Sequence, residues 1–393
     1  MTTVTASQIL PVDADRALLV GRVWDPESGG PRVVSVSGHD VYDHTEHVGT
    51  VSELMDSEDP AGLITSTREA PRWDLAALLN ASLAQDRECP HLLAPVDLQV
   101  IKACGVTFVG SMIERVIEER CAGDFHKAAA VRESVLAILG SDIATVRPGS
   151  EQARKVKEVL TAKGMWSQYL EVGLGPDPEV FTKAPVLSSV GFGSRIGLPT
   201  FSQWNNPEPE LVLIVDSKGQ VRGATLGNDV NLRDVEGRSA LLLGMAKDNN
   251  ASSSIGPFVR LFDAGFSLES LRSEDITLTV EGTDGYRLEG QNSLSRISRP
   301  FEELVGAAFG RHHQYPDGFA LFTGTLFAPT KDRDQPGLGF THHDADQVTI
   351  SSAQLGSLIN TTGTTEELPA WSFGIRDLME YLSRSVQVPA RQG

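Results

Sequence analysis

Basic side chains are scarce in this chain: 34 Lys and Arg stand against 52 Asp and Glu in 393 residues, a formal charge of −18. A surface of that sign repels phosphate, which excludes a nucleic-acid binder held by backbone neutralisation. Cysteine is scarce as well. Cys89, Cys104 and Cys121 form no CxxC spacing and leave one over from any pair, so each reads as a small packed hydrophobe in a reducing compartment. No apolar run approaches the ~20 residues of a membrane span. The opening MTTVTASQILPVDADRALLVG has neither the basic region nor the apolar stretch of an export signal, so the expectation is a cytoplasmic protein.

Hydrophobic residues make up 40% of the chain and charged ones 22%, the balance of a folded protein rather than a disordered one. With 37 Gly, 21 Pro and only 6% aromatics, many turns and a β-rich fold are expected. Residues 1–98 carry short apolar segments broken by Gly, Pro and Asp, and read as a small mixed α/β N-terminal domain. Residues 99–393 read as a second, larger domain.

There, VIKACGVTF reads as a strand, followed by a helical pattern from Ser111 to Leu139 that breaks near Ala122, Gly123 and Asp124. Glu114, Arg115, Glu118, Glu119 and Arg120 crowd its first half, which predicts a surface helix that could serve as a mobile lid. A second helix spans Glu151 to Lys163 and stops at Gly164. LVLIV and VRGATL, joined by Asp216-Ser217-Lys218-Gly219, form the strongest hairpin signal; ITLTVEGTDGYRLEG is another. Asp234 to Ala246 reads as one helix, Pro300 to Phe309 as another and Ile375 to Val386 as a closing helix, with FALFTGTLFAP and QVTIS as strands. Hairpins with few crossover helices predict an α+β fold on a mainly antiparallel sheet that rolls into a barrel-like form.

Two motifs fail on inspection. GFGSRIG at 191–197 has its third glycine one position late for a dinucleotide loop, and DVNLRDVEGRSA lacks the sixth-position Gly and twelfth-position Glu of a calcium loop. His312-His313 and His342-His343 are adjacent pairs, whose side chains point apart. Glu208-Pro209-Glu210 is different. Two residues apart on an extended segment, its carboxylates share a face at the entry of a buried strand, where unpaired charge is costly. The partner strand ends at Asp229, bringing a third carboxylate to the same end. Three carboxylates select a hard cation, Mg²⁺, Mn²⁺ or Ca²⁺, over zinc. Lys247, at a helix end, reads from spacing alone as a solvated lysine.

NNPEPELVLIV, ATLGNDVNLRD and AKDNNASSSIGP, with FTKAP before and LFTGTLFAP after, together resemble the fumarylacetoacetate hydrolase superfamily over about residues 100–350. The resemblance implies Glu208, Glu210 and Asp229 as metal ligands, Lys247 as the functional lysine, and Gly324-Thr325 with Lys183 and Ser188 around the substrate. Within the superfamily the chain is similar to the 2-keto-3-deoxy sugar-acid (pentonate) dehydratases, whose short intervals match 210 to 229 and 229 to 247 and whose additional catalytic glutamate falls at Glu179. The His-Glu pair with which the family's carbon–carbon hydrolases activate water has no clear counterpart in GSMIERVIEERCAGDFH, where the histidine, His126, comes late.

The resemblance therefore implies a Mg²⁺-dependent hydro-lyase converting a 2-keto-3-deoxypentonate to 2,5-dioxopentanoate in sugar-acid catabolism, with a hydrolase or decarboxylase of acylpyruvate-type acids as the alternative. Lys247 or Glu179 would be the base, and Lys247 would need a lowered pKa to serve. The family's assemblies imply a homo-oligomer, dimer or tetramer; the partner is a small 2-keto acid, with neither nucleic acid nor membrane.

Overall fold

The computed structural model of the chain describes residues 4–139, 143, 146–327, 329–336 and 339–385. Its architecture follows from the hairpin at its centre. In Pro209–Val215 every residue is buried, and side chains alternate between two cores: Leu211, Leu213 and Val215 enter one, Val212 and Ile214 the other. An unbroken apolar run is what a strand covered on both faces requires. Each such side chain contributes roughly 1.5–3 kcal/mol by leaving water. The antiparallel partner is Val221–Asp229. The turn between them is closed by Asp216, whose Oδ1 accepts from Lys218 N (2.9 Å) and Gln220 N (2.8 Å), and by Gly219 at φ +80°.

Around this hairpin an eleven-stranded sheet runs, edge to edge, through Trp73–Asp74, Asp40–Asp43, Gly30–Ser37, Leu19–Asp25, Ser253–Leu261, Val221–Asp229, Pro209–Val215, Phe319–Phe322, Val100–Gly105 and Glu179–Ala184, with His91–Leu93 paired to Leu19–Asp25. A five-stranded sheet holds Arg287–Ser293, Asp275–Glu281, Gln347–Ser352, Gly356–Thr364 and Arg195–Leu198, and a two-stranded ladder pairs Asn205–Asn206 with Asn231–Leu232. Most pairs are antiparallel, as expected; two, Phe319–Phe322 with Val100–Gly105 and Gly356–Thr364 with Arg195–Leu198, are parallel.

The expected barrel-like closure is not realised among the described residues. The large sheet is open because its edge strands, Trp73–Asp74 and Glu179–Ala184, each pair on one side only. The strands of the first hundred residues also extend the main sheet, through the Leu19–Arg260 and Val20–Val259 pairs.

The helices follow the sequence closely in four places, Phe301–Ala308 among them, and depart in one. Val109–Cys121 and Ala128–Leu139 are separated where Ala122 and Gly123 take left-handed backbone. Glu151–Ala162 ends before Gly164 at φ +65°, and Ile375–Ser385 closes the described chain, with Val386 outside the described residues. The segment expected as one helix from Asp234 to Ala246 is instead Arg233–Glu236, a 3-10 turn at Ala240–Leu242 and Leu243–Lys247. The break sits at Gly237, where a side chain would meet Glu118 O at 2.8 Å. FALFTGTLFAP is a strand only over Phe319–Phe322, because Gly324 turns away at φ +97°; Ala328 lies outside the described residues.

Candidate active site

Glu208 precedes the central strand, Glu210 is its second residue and Asp229 ends its partner, so the hairpin itself gathers three carboxylates at one sheet end. All three are buried, and each offers an oxygen such that these atoms lie within 4.8 Å of one another. Local hydrogen bonds set their angles. Glu208 N donates to Asn228 Oδ1 (3.0 Å), and Gly324 N donates to Glu210 Oε2 (2.7 Å). Gly324 is required there, since any side chain would collide with Thr107.

Lys247 ends the short helix Leu243–Lys247 and is buried, not solvated. Its Nζ lies 2.5 Å from Glu208 Oε2 and 3.1 Å from Asp229 Oδ2. Burial alone would lower its pKa, but Asp229, Glu208 and Glu236 outweigh burial and hold the ammonium well above its ordinary value. The lowered pKa expected of a lysine base is therefore corrected: in this arrangement Lys247 is a proton holder. Glu179, at the start of Glu179–Ala184, is also shifted upward, but by a different cause. Burial raises its carboxyl against the opposing pull of Arg115 and Lys247. Gly105 makes room for it, because a Cβ there would strike Glu179 Oε2.

Together with Arg115, Glu236, Phe181 and Thr325, these residues line a small, tightly closed cavity. Thr325 Oγ1 donates to Phe327 O at 3.0 Å. Lys183 lies behind the cavity. Its Nζ is 2.9 Å from Asp229 Oδ1 and donates to Val230 O (3.1 Å), Ser252 Oγ (3.3 Å) and Lys247 O, tying three chain segments together. Ser188 is not brought here: its hydroxyl donates to Pro185 O (2.7 Å) and lines a separate cavity with Arg195 and Asn250.

The charges in this pocket do not balance. With every group ionised, Glu179, Glu208, Glu210, Asp229 and Glu236 face Arg115 and Lys247, with Lys183 behind, a formal excess of two negative charges. Each uncompensated buried ion costs several kcal/mol. Burial and the neighbouring Asp229 and Glu208 charges drive the Glu210 carboxyl far above its usual range. An all-oxygen donor set with a surplus of two fits one hard divalent cation.

Arg115 and Glu236 were not found by reading the sequence. The crowded charges of Val109–Cys121 predicted a solvated face, yet Glu114, Arg115 and Glu118 are buried. Each has an opposite charge from another segment: Arg132 and Arg233 on Glu114, Arg233 and Arg115 on Glu118, and Glu208 and Glu236 on Arg115. His126 is exposed beyond the helix end. Among the described residues, Glu114 and Glu118 of this helix are thus held by arginines and neither pairs with a histidine. Cys104 and Cys121 are buried, free thiols, whereas Cys89 is exposed. No helix among the described residues is long and apolar enough to cross a membrane.

No family model matches the chain. Two curated relatives are each 33% identical to it: 2-dehydro-3-deoxy-D-arabinonate dehydratase of Saccharolobus solfataricus over 182 residues, and the probable 2-keto-3-deoxyxylonate dehydratase of Haloferax volcanii over 215. The matches cover 46% and 55% of this chain, and span 57% and 68% of the relatives' own lengths. The fold is that of a solved 2-keto-3-deoxy-D-arabinonate dehydratase in its apo form (TM-score 0.61, 22% identity, 88% of this chain and 99% of that one). The same enzyme complexed with magnesium and 2,5-dioxopentanoate aligns with TM-score 0.61 and 21% identity over 88% of this chain and 99% of that one. A 5-carboxymethyl-2-hydroxymuconate delta-isomerase from Mycobacterium smegmatis aligns less well (TM-score 0.52, 17% identity, 88% of this chain and 98% of that one).

Proposed function

The chain belongs to the 2-keto-3-deoxy-pentonate dehydratase subgroup of the fumarylacetoacetate hydrolase superfamily, and from that premise we propose that it removes one water from a 2-keto-3-deoxypentonate to give 2,5-dioxopentanoate. The observation that carries this reading is the pairing, in one buried cavity, of a carboxylate trio with two further proton-handling groups, the Glu179 carboxyl and the Lys247 ammonium.

Glu208, Glu210 and Asp229 would hold a Mg²⁺ ion, or Mn²⁺ or Ca²⁺ in its place, which would supply Lewis-acid stabilisation of the negative charge developing on the substrate. Glu179, with its carboxyl raised by burial, takes the C3 proton. Lys247, held as ammonium, donates a proton to the departing C4 hydroxyl, and water leaves. Loss of a C5 proton from the conjugated enone and reprotonation at C3 give the C4–C5 enol, which gains a proton at C4 as its hydroxyl proton is lost, leaving the C5 aldehyde. Arg115 and Thr325 stand at the cavity wall, where they orient the polar end of the substrate and exclude bulk water. Ser188, in its separate cavity, takes no part in this scheme, and Lys183 acts on Asp229 and the surrounding loops.

The alternative, cleavage of an acylpyruvate by an activated water, finds less support, since Glu114 and Glu118 are held by arginines. We read residues 1–98 as a structural and assembly module, and the protein as a cytoplasmic homo-oligomer. Incubation with Mg²⁺ and either 2-keto-3-deoxypentonate or an acylpyruvate tests the function. Aldehyde from the first and no pyruvate from the second is the expected result; the reverse overturns it.

A further inference from the structure

Beyond Arg115, one polar assembly that leads away from the site has no role in the chemistry above. It is an unbroken chain of ion pairs that starts on Glu208 and ends at the surface. Glu208 is gripped from two sides, by Arg115 Nη2 at Oε1 and by Lys247 at Oε2. Arg115 Nη1 also reaches Glu118 Oε2 (2.6 Å) and Glu236 Oε2 (3.2 Å). The other oxygen of Glu118 takes Arg233 Nε at 2.6 Å. Arg233 Nη2 passes to Glu114 Oε2 (2.8 Å), its Nη1 donates to Pro329 O (3.1 Å), and its guanidinium lies 4.4 Å from the Trp204 ring centre. Glu114 finally accepts a two-pronged grip from Arg132, at 3.1 and 2.7 Å. Arg132 belongs to the next helix, Ala128–Leu139, and is the member that reaches solvent, with 27% of its side chain exposed.

Two close approaches stiffen the middle of this chain. A side chain at Gly123 would meet Asp234 O at 2.5 Å, and one at Gly237 would meet Glu118 O at 2.8 Å. Val109–Cys121 and Arg233–Glu236 therefore pack backbone to backbone. Buried charges of alternating sign have no water to relax into, so removing one partner leaves the next uncompensated. The planar guanidinium forks fix direction as well as distance.

We propose that Arg115 is the positioning residue for Glu208, and that Glu118, Arg233, Glu114 and Arg132 set Arg115, so that cation affinity at the carboxylate trio depends on the docking of helix 128–139. This rests on the reading of Glu208, Glu210 and Asp229 as a cation site. Linkage makes the dependence mutual: the cation tightens helix 128–139 by the same factor by which the docked helix tightens the cation.

The test uses the full chain, with Mg²⁺ as the probe. In calorimetric titration the wild type binds Mg²⁺, Arg132→Ala weakens that affinity at least about fivefold, and Arg132→Lys, which keeps the charge but loses the fork, falls between. Hydrogen exchange of residues 128–139 slows when Mg²⁺ is added to the wild type, and does not in Arg132→Ala. A merely structural brace would lower melting temperature without moving either readout. Mg²⁺ affinity in Arg132→Ala equal to wild type, or exchange in 128–139 indifferent to Mg²⁺, overturns the coupling. Should Arg132→Ala fail to fold, the wild-type exchange measurement alone decides. A wild type that binds no Mg²⁺ overturns instead the cation-site reading itself, and the coupling with it.

Discussion

Glu179 and Gly105 are matched across two neighbouring strands: the glutamate's Oε2 occupies the space that any side chain at 105 would fill. The pair gives a way to move the proposed base without changing its chemistry. Gly105→Ala should displace the carboxylate, lowering kcat by roughly 10²-fold, the usual contribution of a positioned acid or base. Mg²⁺ affinity should stay within about twofold, since Glu179 is not among the three gathered carboxylates. Steady-state kinetics with a Mg²⁺ titration check this; an unchanged kcat would remove Glu179 from the chemistry.

Glu208→Gln should abolish turnover, by about 10³-fold or more, while the protein still folds. The same variant should lose the rise in melting temperature that Mg²⁺ gives the wild type, because ligand binding stabilises only a chain that holds the ligand. Chelation of the wild type with EDTA should mimic the variant, and Mg²⁺ should restore only the wild type.

Lys247 gives a third prediction. Its ammonium sits between Glu208 and Asp229 and holds its proton, which disfavours attack on a keto group. Borohydride added during turnover should therefore leave no adduct on Lys247 by mass spectrometry. A reduced covalent adduct at that residue would replace the acid role proposed for Lys247 with a Schiff base.

His44 gives a prediction about stability. Buried between Ser35 Oγ (2.7 Å) and Thr67 Oγ1 (2.8 Å), it is held neutral by burial, with its pKa pushed down to about 4. The unfolded chain takes up this proton as pH falls below about 6.5, but the folded chain does so only near 4. Stability contributed by the neutral ring is thus present above about pH 6.5 and is lost between there and about 4. Urea midpoints should fall over that window, and His44→Asn, though less stable at pH 7, should show a shallower fall. Equal slopes in both proteins would remove His44 as a source.

Much of this site could be read from sequence because its key spacing is local. Glu208 and Glu210 share a face by the two-residue strand repeat, and the Asp216–Gly219 turn returns the chain so that Asp229 joins them. The Arg115 network was hidden because its partners lie far apart in the chain. Arg115 and Glu208 are separated by 93 residues, and Arg233 and Glu114 by 119, so the helix looked merely charged. The broken helix after Arg233 has a similar cause, since it is the approach of Gly237 to Glu118 O that interrupts it. Lys247 looked solvated for want of its distant carboxylates. The attachment of Leu19–Asp25 to Ser253–Leu261 likewise joins segments some 240 residues apart, which no local pattern reports.

The most direct measurement is a crystal structure of the protein grown with Mn²⁺ and soaked in pyruvate, with the ion located by its anomalous signal. The account predicts one peak within about 2.0–2.3 Å of an oxygen from each of Glu208, Glu210 and Asp229, in contact with both the carboxylate and the keto oxygen of pyruvate. No peak at saturating Mn²⁺, or a peak bound elsewhere with Glu208 and Asp229 still paired to Lys247 and Arg115, would contradict it.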